Sequence, residues 1–139
     1  MKQIIHTPKP PYAAFDAEDE HRLQMWAEET RLLLAEVALK GEVISYRDLW
    51  EGLLSRDVGP APRGLWRSRT GTLLYRVAQL NRLNDEPLLT ALVVQKITGE
   101  VSGGYEDGVA ARYGYSPTNI VSHARMERLK IALWLGTDL

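Results

Sequence analysis

Gly41-Glu42-Val43-Ile44-Ser45-Tyr46-Arg47-Asp48-Leu49-Trp50 decides the fold reading. Gly41 ends what precedes it, and Val43 and Ile44 make a short strand-like step. Ser45 is placed to cap a helix. Tyr46 to Leu54 then reads as that helix, with Leu49, Trp50, Leu53 and Leu54 on its apolar side.

Upstream, Asp16 can cap a long helix with Asp19 in its acidic first turn. Leu23, Trp26, Ala27, Thr30, Leu33, Leu34, Val37 and Ala38 follow at helical spacing. Residues 1 to 15 hold Pro8, Pro10 and Pro11 and read as an extended arm, leaving 16 to 139 as a single domain. Downstream, Gly59, Pro60, Pro62 and Gly64 demand a loop, and helical spacing returns from Ser68 to Leu83. Leu88 to Val94 is dense in apolar and β-branched residues, Ile97 to Glu100 is a turn signal, and Val101 to Tyr105 can return as a second strand. Together they would form a two-stranded wing. Ser116-Pro117 is set to start a final helix that Gly136 stops after Leu135. The expected fold is α+β, a winged helix-turn-helix with an extra long N-terminal helix and a C-terminal helix.

The chain has 139 residues, 45% of them hydrophobic, enough for one core. It has no cysteine, which removes thiol nucleophiles, disulfides and thiolate metal sites. No window approaches the apolar run of about 18 residues that a membrane helix needs, and the expectation is a soluble cytoplasmic protein. His6, His21 and His123 lack metal-ligand spacing, so neither metal nor cofactor is expected. Ser45 or Ser122 with His123 lacks a Gly-x-Ser-x-Gly elbow, and Gly103-Gly104 lacks the lysine and helix order of a phosphate loop. No enzymatic activity is expected.

The net charge of −1 hides an asymmetry. Arg63, Arg67, Arg69, Arg76 and Arg82 lie between Val58 and Asn84 with no acid among them, whereas Asp16 to Glu29 carries six carboxylates against Arg22. The two stretches are either solvated faces of opposite sign or an anion-facing helix beside an acidic one. The Ser68 to Leu83 helix is the candidate recognition helix. Arg69, Arg76 and Arg82 would meet phosphates, with Gln79 and Asn81 for base edges and Lys96 at the wing. Trp66, between Arg63 and Arg67, could stack on a base or close the core. Trp26, Trp50 and Trp134 fall on apolar helix faces and read as core residues.

The Gly41 to Tyr46 run resembles the lead-in to the helix-turn-helix of the alkylguanine DNA alkyltransferases and the catalytically dead alkyltransferase-like proteins. Val93-Val94 followed by Gly99, Gly103-Gly104-Tyr105 and Gly108 is similar to that family's stretch after the active-site loop. The resemblance implies a winged helix that binds DNA, with Tyr46 against the backbone beside a flipped nucleotide and Arg69 filling the gap a flipped base leaves. The family's Pro-Cys-His-Arg segment is here Leu89, Thr90, Ala91 and Leu92, and Thr90 stands where the acceptor thiol would be. A threonine hydroxyl without a basic partner lacks the nucleophilicity for suicidal alkyl transfer. The expected function is thus non-enzymatic binding of duplex DNA. The alternative is a winged-helix protein-interaction module, a small bacterial or phage regulator or inhibitor, with a homodimer or partner surface on the C-terminal helix ending Ile131-Ala132-Leu133-Trp134-Leu135.

Overall fold

The computed structural model describes residues 16–65 and 69–136, so the N-terminal arm, Trp66 and Arg67 lie outside the described residues. Helix α1 spans Ala17–Leu39. Strand β1 (Ile44–Ser45) runs directly into α2 (Tyr46–Leu54), and α3 covers Thr70–Leu83. A 3-10 turn at Leu89–Leu92 leads into β2 (Val93–Val94), followed by α4 (Tyr105–Tyr113) and α5 (Ile120–Leu135). The fold is mostly helical with one small two-stranded sheet, in which Ile44 pairs with Val93 and Ser45 with Val94 in parallel.

Local chemistry explains most boundaries. Asp16 accepts the Asp19 amide at 2.9 Å and caps α1, and Ser45 accepts the Asp48 amide at 3.1 Å and caps α2. Leu23, Trp26, Leu33 and Leu34 of α1 pack with Leu49 and Leu53 of α2 and Leu73 and Val77 of α3 into one core. Trp50 is half-buried against Trp26, ring centroids 5.5 Å apart, while Leu54 is exposed rather than on the buried face.

The expected wing is not a β-hairpin. The Leu88 amide donates to Glu127 Oε2 at 2.8 Å and the Leu89 amide to Asn81 Oδ1 at 3.0 Å. Those amides serve buried side chains and leave no strand ladder before Val93. Val93-Val94 pairs with β1, and Val101 to Tyr105 forms no strand. Instead the amides of Tyr105 and Glu106 donate to the carbonyls of Ser102 and Gly103, which starts α4 where a Gly-rich loop was expected. Helix α4 ends at Gly114, whose φ of +80° favours glycine. Helix α5 is capped by Asn119, which accepts the Ser122 amide at 3.0 Å, rather than by Ser116-Pro117. Gly136 ends it as expected, with φ +68°. Trp134 is not a core residue but sits exposed on α5.

The charge asymmetry folds back on itself. Asp19, buried at the start of α1, accepts the Arg63 amide at 2.9 Å and its Nε at 3.0 Å, and Arg63 Nη2 reaches Asp16 at 2.6 Å. The Arg63 backbone amide, with the guanidinium beside it, holds the Asp19 carboxyl below its ordinary pKa. A depressed pKa means that Asp19 stabilises the folded state fully above the ordinary carboxylate value of about 3.9. That contribution disappears as pH falls through the folded value. Asp19→Asn is therefore expected to melt below wild type near neutral pH, with the gap closing in acid, as thermal melts by circular dichroism across about pH 7 to pH 2.5 will show.

Candidate functional site

The parallel β1–β2 pair places the start of α2 beside the turn that follows β2, and α3 closes the third side. The result is a cleft of about 970 Å³. Tyr46 and Arg47 come from α2, Gly71 and Tyr75 from α3, Lys96, Ile97 and Ser102 from the connection after β2, and Tyr105 and Gly108 from α4. Tyr46 lines the cleft, its hydroxyl 2.6 Å from Ser102 Oγ. Thr90 lies at the floor, and its Oγ1 is shielded from solvent without a hydrogen-bond partner among the described residues. A Cβ on Gly108 would stand 3.3 Å from that oxygen, so glycine keeps the floor open.

A second cleft of about 660 Å³ continues along α3 and shares Tyr75 with the first. Arg76, Gln79 and Arg82 line it with Gln24 of α1. Gly71, Tyr75, Gln79 and Arg82 recur at four- and three-residue spacing, so they share one helix face. Neither cleft is lined by an Asp or Glu among the described residues. Asp107 acts from just beyond the lining and, after burial, is the second cause of a raised pKa at Tyr75.

The structure sorts the expected site residues into groups. Tyr46 and Lys96 line the first cleft, Arg76, Gln79 and Arg82 line the second, and Arg69 is exposed at the start of α3 beside the lining residue Thr70. Lys96 and Arg82 form no ion pair with a described residue, whereas Arg76 pairs with Glu20 and donates to Gln24 at 3.3 Å. Arg63 belongs to the Asp16–Asp19 pairing and lines neither cleft. Asn81 is not a base reader: it is fully buried, donating to Glu86 at 3.2 Å and accepting the Leu89 amide. Trp66 and Arg67 lie outside the described residues.

Sequence reasoning missed Arg47, Tyr75 and Tyr105. Arg47 pairs with Glu51 one turn on at 3.1 Å, an exposed pair of small energetic weight that a ligand phosphate can replace. Tyr75 was legible through its spacing to Gly71 and Gln79. Tyr105 carried no such signal, because the helix it starts was not expected.

Behind the cleft, the Tyr105 hydroxyl meets His123 Nδ1 at 2.7 Å, and His123 Nε2 meets the Tyr115 hydroxyl at 2.7 Å. Burial pushes the Tyr105 hydroxyl far above its ordinary pKa and His123 below its own. The imidazole is thus a neutral bridge at neutral pH, donating to one tyrosine and accepting from the other. Among the described residues no three His, Asp or Glu side chains converge as metal ligands, and no helix is long and apolar enough to cross a membrane.

A buried hydroxyl without a partner costs stability, and valine has the same shape without it. Thr90→Val is expected to raise unfolding stability by about 1 kcal/mol in a urea titration, with unchanged far-ultraviolet circular dichroism. Comparison with family models, curated proteins and solved structures finds no match for this chain.

Proposed function

We propose that this chain binds duplex DNA without catalysing a reaction, as a winged-helix protein of the alkyltransferase-like kind. In this reading α3 serves as the recognition helix and the Gln95–Glu100 turn as the wing. The observation that carries it is the acid-free strip along α3, which joins two clefts through Tyr75 and ends on Arg82. Phosphates demand cations, and Arg82 at the end of that strip and Lys96 in the turn after β2, neither of them ion-paired to a described residue, supply two, with Arg69 at the start of α3 as the third contact. Gln79, exposed on the same face, is the base-edge reader. Tyr46 and Arg47, at the mouth of the larger cleft, stand beside the backbone of a nucleotide displaced into it. Arg76 and Arg63, held by the carboxylates of α1, contribute through folding rather than contact.

Three phosphate contacts imply a log–log salt slope of about −2.7, gentler than the value of about −4.5 for all five arginines. An electrophoretic shift series over salt is expected to give the gentler slope. Arg82→Ala and Lys96→Ala should each flatten it by about 0.9, whereas Arg63→Ala leaves it unchanged. Absence of binding at low salt sinks the reading.

A second reading has its own observation. Met126, Leu129 and Leu133 form a stripe on α5, with Trp134 beside it, and all four are exposed, Leu133 at 81%. A helix face of that kind suits a protein partner or a second copy of the chain. Under this reading Leu133→Glu converts a salt-resistant dimer into a monomer on size-exclusion chromatography, and the chain shows no shift of duplex DNA at low salt.

A further inference from the structure

Ile97 is 98% exposed, the most exposed large hydrophobic side chain among the described residues. Single exposed apolar residues are ordinary on proteins, and exposure alone carries nothing. The support beneath Ile97 is unusual. The Gln95 amide donates to the Glu100 carbonyl at 2.9 Å and the Gly99 amide to the Gln95 carbonyl at 2.8 Å, closing a six-residue turn on itself. The Glu100 amide donates to Thr98 Oγ1 at 3.1 Å, and Gly99 takes the left-handed backbone the turn requires, φ +69°. Glu100 in turn pairs with Arg125 of α5 at 2.6 Å, and Val101 behind it is buried in the core. The tip is therefore a short, pre-organised projection from a fixed base, and holding it out costs little further ordering on binding.

Its surroundings point to one partner. Ile97 lines the larger cleft with Lys96 next to it, as do Tyr46 and Arg47, and no carboxylate lines the wall. A lone apolar tip flanked by a cation at the mouth of an acid-free cleft is poorly matched to an apolar protein groove, which would need a stripe of such residues. It matches the way proteins prise open duplex DNA: an aliphatic side chain inserts between neighbouring bases while a cation beside it holds the phosphate.

On the reading that the chain binds duplex DNA, we propose that Ile97 is a wedge that enters a base step and unstacks it, and that Lys96 fixes the adjoining phosphate. The cleft at the foot of the wedge then receives the loosened nucleotide. Pyrimidine–purine steps unstack at least cost, so sites containing them, or a mispair, are the preferred targets.

The test uses the full chain and a duplex of about 16 base pairs carrying 2-aminopurine at a central pyrimidine–purine step, since 2-aminopurine brightens when its stacking is lost. Wild type is expected to raise the fluorescence severalfold at saturation, and Ile97→Leu to keep the rise. Ile97→Ala should bind about tenfold more weakly and give no rise at saturation. Ile97→Lys separates wedge from charge: it should bind at least as tightly at low salt, with a steeper salt slope and no rise. A rise that persists in Ile97→Ala or Ile97→Lys, or binding by wild type without a rise, overturns the wedge and leaves the DNA reading standing. If fluorescence anisotropy finds no binding of the duplex by any variant, both fall together.

Discussion

The segment from Glu86 to Leu92 is held by side chains rather than by a sheet, and the placement of everything around the cleft depends on it. Asn81 from α3 and Glu127 from α5 each take one backbone amide of this segment while buried themselves. Both are tied in further: Glu127 also accepts the Tyr113 hydroxyl, and Asn81 donates to Glu86, itself gripped by Arg31 through two contacts of 2.6 Å. Burying polar groups is unfavourable unless every one is satisfied, so this network stands or fails as a unit. Its satisfaction brings Val93-Val94 beside Ile44-Ser45, and that short parallel pair sets the distance between α2 and the turn after β2.

This dependence explains what could be read from the residues and what could not. Helices α1 and α2 follow from 3.6-residue spacing with caps, and α3 from its spacing, signals contained within each stretch. Leu88 to Leu92 looks like a strand because its composition is that of a buried strand, and composition cannot report that the Leu89 amide is claimed by an asparagine eight residues earlier and the Leu88 amide by a glutamate 39 residues later. Helix α4 was hidden by Gly103, Gly104 and Gly108, which lower helical propensity. Gly108 sits in α4 because a larger residue would crowd Thr90, a contact between remote parts of the chain.

The candidate site shows the same division. Tyr46, Lys96, Gln79 and Arg82 were legible by residue type and position, and they line the two clefts. Counting charge in one dimension omits the partner: Arg63 and Arg76 lie against Asp16, Asp19 and Glu20, so part of the two opposite runs is paired within the fold. Asn81 was misjudged for a related reason, since a polar side chain on a candidate recognition helix looks alike whether it faces solvent or the core. A run of charge in a sequence measures what is available to a ligand only after subtracting what the fold has used.

The self-closed turn at Gln95–Glu100 has a further consequence. Its hydrogen bonds are made by backbone, by Thr98 and by the base of the turn, and none requires the side chain at position 97. The residue at the tip can therefore vary without loss to the core, while the buried network beneath the cleft tolerates almost no change. One molecule thus combines a tightly constrained frame with a freely tunable contact, so exchanging a single exposed residue would change what it engages while leaving the frame intact.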